Sequence, residues 1–423
     1  MNDAFSTVCV LGLGYIGLPT ASVLATHGFQ VLGVDVAPHI VDTVNAGAIH
    51  IEEPGLQTVV CAAIQSGKLR AALHPERADV FIIAVPTPLT AEKKADMRFV
   101  IQAAESIVPH LKRGTLVILE STSPPGTCRD LIMPILERSG LNVGGDVHLA
   151  YCPERVLPGR ILTEFIANDR IIGGINSASA ERARALYERF VEGRLFVTDA
   201  TTAEMDKLLE NTFSDVNIAL ANEAALICER MGVCFWEAAR LANRHPRVTV
   251  HDAGPGVGGH CISVDPWFLV EKAAEESQLI RLARERNDAM PRHVADAIAE
   301  LVDGMQSPRI AVLGLAYKAN VDDIRESPAV RVVHCLLGRG FEVAVHDPHV
   351  RHSPFPLLSL EQCLHGSDCV ALLTNHDEFK AIEPRQAAAW MRHRVLYDTR
   401  NLFDVAAWKA AGFRTRLLGA GAQ

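Results

Sequence analysis

Nothing in this sequence is apolar for long enough to cross a bilayer. Its longest apolar runs, such as Val80–Val85, hold six or so residues, against about 20 for a spanning helix. The start lacks a basic region and a small-residue cleavage site. Thr7–Leu11 already reads as a strand, so no secretory signal is expected. The 10 cysteines include no Cys-x-x-Cys pair and no spaced Cys/His cluster. That argues against a disulfide framework or a metal site and for reduced thiols in the cytoplasm. There is no basic block, and the net charge is −9. Nucleic acid and acidic membrane are therefore poor partners. What is present is ordinary globular composition, 48% apolar and 22% charged, which rules out disorder as the main state. A length of 423 residues suggests two or three domains at about 100–200 residues each.

Short apolar runs alternate with helical patterns over the first segment. Val8–Leu11, Val31–Asp35, Val80–Val85 and Leu116–Glu120 read as strands, with others near Val147–Tyr151, Arg170–Gly173 and Leu195–Val197. Buried parallel strands joined by helices are the simplest arrangement. From Thr201 the pattern turns helical. Thr201 and Glu204 have capping-box spacing, and no Gly or Pro follows before Arg230. A second helix is predicted at about Trp236–Asn243. Asp265 and Pro266 look like an N-cap and the first position of a third. At Ser307–Pro308 the strand-helix series begins again. Val8–Leu13, Gly28–Asp35 and Ala78–Val85 have counterparts in Ile310–Leu315, Gly340–Asp347 and Ser367–Thr374, in the same order. The fold class is thus α/β: two Rossmann-like, doubly wound domains over 1–198 and 305–423, joined by a helical part over 199–304.

Gly12-Leu-Gly-Tyr15-Ile16-Gly17 follows a strand and opens a helix. Gly12, Gly14 and Gly17 suit a tight turn, close approach to a pyrophosphate and helix-to-strand packing, while the helix N-terminus favours the phosphate charge. Asp35 ends the next strand 18 residues after Gly17. Its carboxylate suits a ribose diol and would repel a 2′-phosphate, so NAD is favoured over NADP. The second domain has only Gly314 in the matching turn. It is not expected to hold a dinucleotide, but its topology offers a crevice for another phosphate-bearing ligand.

Gly254-Pro-Gly256-Val-Gly-Gly-His-Cys261 is a flexible loop that ends in a thiol. A thiol there, just before a helix N-terminus, can be biased towards thiolate and act as a nucleophile. The blander reading, a small packed apolar residue, serves for the other cysteines. Lys207 and Asn211 lie four apart on one helix face, where they could hold an oxyanion or simply face solvent. Glu154 and Arg155 could form a salt-bridged turn. Lys318 and Arg325 could grip a diphosphate, or be surface charges.

Taken together, these segments resemble the UDP-glucose/GDP-mannose dehydrogenase family along essentially the whole chain. The resemblance is carried by Gly12–Gly17, Glu120-Ser-Thr-Ser-Pro124, Pro153–Arg155, Lys207 with Asn211, Gly258-Gly-His-Cys261 with Asp265, Gly314-Leu-Ala-Tyr-Lys318 and Asp322-Asp-Ile-Arg-Glu-Ser-Pro328. The finer pattern is similar to the branch acting on UDP-N-acetyl-D-mannosamine, with UDP-N-acetyl-D-glucosamine as the alternative substrate. Ile49–Pro54, Tyr151–Gly159, Asn168–Gly174, Leu241–Val248 and Gly254–Trp267 carry that signal. Val264 stands where UDP-glucose enzymes commonly have Lys, and Ser214 where this branch is expected to have Arg. The resemblance implies a four-electron oxidation of an alcohol to an acid with NAD, through a thiohemiacetal and a thioester on Cys261. It implies catalytic roles for Cys261, Lys207, Asn211, Asp265, Glu154 and Thr122. It places NAD on Gly12, Gly14, Tyr15, Ile16, Gly17, Asp35, Thr87 and Thr122. The UDP-sugar would meet Arg155, Val156, Lys207, Asn211, His245, Arg247, Gly256, Lys318 and Arg325. It further implies a homodimer through the central helices, with Arg247 acting across the subunit boundary.

Overall fold

A computed structural model describes residues 5–421. The chain forms two compact units. One holds the residues up to Glu210 with Trp267–Ala273; the other holds Asn211–Pro266 and the residues from Ala274 onwards.

In the first unit the apolar runs become strands β1 (Thr7–Leu11), β2 (Gln30–Val34), β3 (Leu69–Ala72), β4 (Val80–Ile83), β5 (Leu116–Leu119), β6 (His148–Tyr151), β7 (Arg170–Gly174) and β8 (Leu195–Asp199). They form one sheet in the order β3-β2-β1-β4-β5-β6-β7-β8. Alternate residues feed opposite faces. Val8, Val10, Val31, Ile82 and Ile118 build one core, and Cys9, Leu11, Leu32, Ile83 and Leu119 build the other. Two features depart from the sequence reading. β3 is an additional strand, and its Leu-Arg-Ala-Ala has no β-branched or aromatic residue to announce it. β7 runs antiparallel to β6, so it and its parallel neighbour β8 oppose the rest of the sheet.

In the second unit β9 (Arg309–Leu313), β10 (Glu342–His346), β11 (Cys369–Leu372), β12 (Val395–Asp398) and β13 (Arg414–Leu417) form an all-parallel sheet in the order β10-β9-β11-β12-β13. The sequence repeat is a structural repeat. β9 lies between β10 and β11 as β1 lies between β2 and β4. Even the polar anchors recur. Asp79 Oδ2 accepts the Thr7 N–H at 3.1 Å, and Asp368 Oδ2 accepts the Arg309 N–H at 2.8 Å. Asp35 Oδ2 accepts the Leu13 N–H at 3.0 Å, and Asp347 Oδ2 accepts the Leu315 N–H at 2.6 Å.

The helix Ala200–Met231 is 32 residues long. Its start corrects the expected capping box. Asp199, not Thr201, caps it, accepting the Thr202 N–H at 3.0 Å and its hydroxyl at 2.5 Å. Glu204 is turned inward, where it accepts the N–H groups of Gly126 at 2.5 Å and Cys128 at 2.7 Å. Those amides open a helical turn whose N–H groups lack intrahelical partners, and a carboxylate satisfies them better than it would an already capped end. The later helices are Phe235–Ala242, Asp265–Lys272 and Gln278–Leu301. The third of the predicted helices begins at Asp265, the expected cap, one residue ahead of the expected first helical position Pro266. No helix among the described residues is long and apolar enough to cross a membrane.

Candidate active site

The glycine loop of the first unit leaves β1 through Gly12, at φ +91°. A Cβ on Gly17 would lie 1.8 Å from the Gly12 carbonyl oxygen, so the turn admits only glycine there. Around Gly14, by contrast, a Cβ would meet nothing within 4 Å. The loop is tight where it packs and open where a phosphate must approach, beside the N-terminus of helix Gly17–Thr26. Tyr15 and Ile16 complete the turn, partly buried. Asp35 is held at the end of β2, accepting the Leu13 and Ala37 N–H groups at 3.0 Å each. These residues fit the pyrophosphate and ribose of a dinucleotide. The second unit's counterpart does not. Asp347 is closed off by His376, which is fully buried and places Nε2 3.0 Å from Asp347 Oδ2. His376, His349 and Glu378 are the described residues grouped most like metal ligands. However, the Nδ1 of His376 already takes the Asn320 N–H at 2.9 Å, so both its ring nitrogens are in use.

At the ends of β4 and β5 the Thr87 hydroxyl donates to the Thr122 carbonyl at 2.7 Å, bringing two of the expected cofactor residues together. Glu154 is only 9% exposed, and its Oε1 has no hydrogen-bond partner among the described residues. Arg155 does not pair with it. Its guanidinium reaches Glu210 and the Asp169 carbonyl, the latter at 3.1 Å. Val156 packs on the first core. Lys207 is 8% exposed, which excludes a solvated helix face for it. Sequence reasoning missed Glu120. Its carboxyl is buried, with Tyr187 Oη donating at 2.9 Å and Thr20 Oγ1 at 3.4 Å. Burial pushes its pKa up to about 7, with the nearby Arg170 guanidinium opposing. A buried glutamate at a strand end gives no periodic signal to find it by.

In the second unit Cys261 sits at the head of helix Asp265–Lys272, and its carbonyl accepts the Asp265 N–H at 2.8 Å. It is the one exposed cysteine of the ten, none of which forms a disulfide. Five are buried, and burial pushes their thiols up, to about 11 for Cys152 and about 12 for Cys9, Cys363 and Cys369, with Cys128 also raised. Asn211 Nδ2 donates to Asp265 Oδ2 at 2.5 Å. The loop is moulded onto its neighbours. Gly259, at φ +87°, donates its N–H to the Arg325 carbonyl at 3.1 Å, and a Cβ on it would lie 2.9 Å from the Tyr317 ring. Gly256 lies against the Asn287 carbonyl and Pro328. The guanidinium fork of Arg325 grips Asp323, with Nε at 2.9 and 3.0 Å from the two oxygens, and Lys318 is partly buried. His245 and Arg247 are exposed beyond helix Phe235–Ala242. Two further residues escaped the sequence reading. Asn222 accepts the Gly254 N–H at 2.9 Å. Arg400 stands against Gly254, its Nε buried with no hydrogen-bond partner among the described residues.

A glycine turn shaped for a dinucleotide, together with a separate loop that exposes a thiol four residues before an aspartate at a helix start, marks an NAD-dependent dehydrogenase. The chain belongs to the UDP-glucose/GDP-mannose dehydrogenase family. Its NAD-binding domain matches residues 6–191, its central domain 201–289 and its UDP-binding domain 311–405. The UDP-N-acetyl-D-mannosamine dehydrogenase of Methanococcus maripaludis is 48% identical, covering 100% of this chain and 99% of its own length. The NDP-N-acetyl-D-galactosaminuronic acid dehydrogenase of Ralstonia solanacearum is also 48% identical, over 95% of this chain and 97% of its own. The solved structure of the UDP-N-acetyl-D-mannosamine dehydrogenase from Pyrococcus horikoshii superposes with a TM-score of 0.92 at 42% identity, covering 98% of this chain and 99% of that one.

Proposed function

We propose that this enzyme oxidises UDP-N-acetyl-D-mannosamine at C6 to UDP-N-acetyl-D-mannosaminuronate, a precursor for surface polysaccharide, in the cytoplasm. The observation that carries the mechanism is Cys261: the one exposed thiol, at a helix N-terminus, four residues before an Asp265 paired with Asn211. NAD would supply the oxidant, one NAD taking one hydride from C6 in each of the two oxidations, so that two NAD are reduced per sugar. Lys207 and Asp265, through a water, take the C6 hydroxyl proton in the first oxidation. The thiol of Cys261 then adds to the C6 aldehyde carbon, giving a thiohemiacetal, and the second oxidation leaves a thioester. Water attacks that thioester, placed by Glu154 and Thr122 and assisted by Asp265, and the thiol is regenerated as the acid leaves. Lys207 and Asn211 stabilise the oxyanions formed on the way. The burial of Lys207 supports its role, and so does Glu154 Oε1, buried with no hydrogen-bond partner among the described residues. Arg155, Val156, His245, Arg247, Gly256, Lys318 and Arg325 bind the nucleotide sugar. The working unit is a homodimer. Phe213, Leu220, Ile227 and Met231 recur at seven- and four-residue spacing on one helix, and all are at least half exposed. A stripe of that kind marks a protein interface.

The test is product stoichiometry. With limiting UDP-N-acetyl-D-mannosamine and excess NAD, two NADH per sugar are expected. One NADH per sugar would remove the thioester route. No NADH here but two per UDP-N-acetyl-D-glucosamine or UDP-N-acetyl-D-galactosamine would keep the route and replace the substrate.

A further inference from the structure

The helix that carries Asn211 holds the thiol loop at a second point. Asn211, Asp215 and Asn222 stand at i, i+4 and i+11, on one side of Ala200–Met231. Asn211 fixes Asp265, four residues after Cys261. Asn222 fixes Gly254, seven residues before it. Behind Asn222 runs a buried chain. Its Nδ2 donates to Asn287 Oδ1 at 2.9 Å, and Asn287 Nδ2 donates to the Asp215 carbonyl at 3.0 Å and to Oδ1 at 2.8 Å. Arg284 Nη1 donates to the same Oδ1 at 2.5 Å.

The chain has one allowed direction. A carboxylate only accepts, so Asn287 must turn its NH₂ to Asp215 and its oxygen to Asn222. Asn222 must then donate to Asn287, which leaves its own oxygen, and nothing else, for the Gly254 N–H. The ion pair at the origin is expensive. Arg284 and Asp215 are 1% and 0% exposed, and Arg284 Nε and Asp215 Oδ2 have no hydrogen-bond partner among the described residues. A buried pair left incompletely satisfied is poor value for stability, and its best-attested use is to fix one arrangement over another. Gly256, packed on the Asn287 carbonyl, keeps the loop seated on the same chain.

We propose that Asn222, Asn287 and Asp215 are positioning residues for the reaction: they pin Gly254 and so set where the Cys261 thiol stands relative to C6. This rests on the reading of Cys261 as the nucleophile. The first oxidation does not need the thiol and the second does, so misplacing the loop uncouples them.

The experiment is Asn222→Leu in the full-length enzyme, read by turnover, by NADH per sugar in the presence of an aldehyde-trapping hydrazine, and by far-UV circular dichroism. A folded variant is expected to lose about 30- to 100-fold in kcat, as a displacement of about 1 Å would cause. KM values for sugar and NAD should shift by less than about twofold. NADH per sugar should fall from two towards one as trapped aldehyde appears. Asn222→Gln, which keeps both an NH₂ for Asn287 and an oxygen for the Gly254 N–H, should return NADH per sugar towards two. A merely structural role would lower the amount of active enzyme and leave the ratio at two, and that result overturns the proposal. Should Asn222→Leu not fold, Asn287→Ala, which frees the Asn222 amide to rotate, is read the same way, and a ratio of two overturns the proposal equally. Full two-NADH turnover by Cys261→Ser would instead overturn the thiol reading beneath it.

Discussion

Burial decides what Glu120 does with its proton. Its carboxyl is enclosed by Tyr187 and Thr20, with Arg170, Glu154 and Cys152 the nearest titratable groups. Desolvation outweighs the guanidinium, so the folded protein holds this proton up to about pH 7 while the unfolded chain releases it near 4.5. The sign follows. A raised pKa means the folded state binds the proton more tightly, so the stability gained is full below pH 4.5 and is lost as pH rises through 7. At about 1.36 kcal/mol per pH unit the loss is at most about 3–4 kcal/mol. Urea titrations of wild type and Glu120→Gln should therefore diverge between those limits, with the variant gaining on wild type as pH rises. Parallel curves would place the Glu120 pKa in the ordinary range. At this scale the sequence was legible where a candidate site residue has a local mark. Cys261 stands at the end of a glycine run and Asp35 at the end of a strand. Glu120, Glu204 and Asn222 carry no such mark, because their roles come from partners tens of residues away: Tyr187, Gly126 and Gly254.

Helices and strands show the same division. Runs of Val, Ile and Leu announced β1, β2, β4 and β5 because burial on both faces requires them. β3 is held by its register with β2, Val31 to Leu69 through Val34 to Ala72, and its own composition says nothing. The reversal at β7 was likewise invisible, since strand direction is set by connections rather than by side chains. Capping is the instructive error. Thr201 and Glu204 have the spacing of a capping box, but Asp199 comes two residues earlier and its carboxylate reaches the Thr202 N–H first. Asp199→Ala is therefore expected to destabilise the protein by about 1 kcal/mol, the usual worth of an N-cap. Thr201→Ala should be nearly neutral. Denaturant midpoints of the two variants decide it, and the reverse order would restore the capping box. Glu204→Gln tests its other role. It weakens the acceptor for the Gly126 and Cys128 N–H groups and should lower stability without fraying the long helix.

At the scale of the whole molecule, the exposed stripe on Ala200–Met231 and the exposed Arg247 make one argument. Phe213, Leu220, Ile227 and Met231 cost about 1.5–3 kcal/mol each if left in water rather than buried. In the proposed homodimer a second copy of the same chain would cover them by two-fold pairing. Leu220→Glu with Ile227→Glu should then convert a dimer to a monomer in sedimentation. The His245–Arg247 segment lies exposed beyond the helix Phe235–Ala242. If Arg247 works across the boundary, two dead variants rescue each other. Cys261→Ser lacks the thiol, and Arg247→Ala lacks the substrate contact. In the mixed dimer, the intact thiol of one subunit meets the intact arginine of the other at one site of the two. With random assembly half the dimers are mixed, so an equal mixture, unfolded and refolded together, should recover about a quarter of wild-type turnover. If Arg247 serves its own subunit, every site in the mixture lacks one group and nothing is recovered. Either variant refolded alone gives the baseline, and adding the Leu220→Glu and Ile227→Glu pair should abolish the rescue.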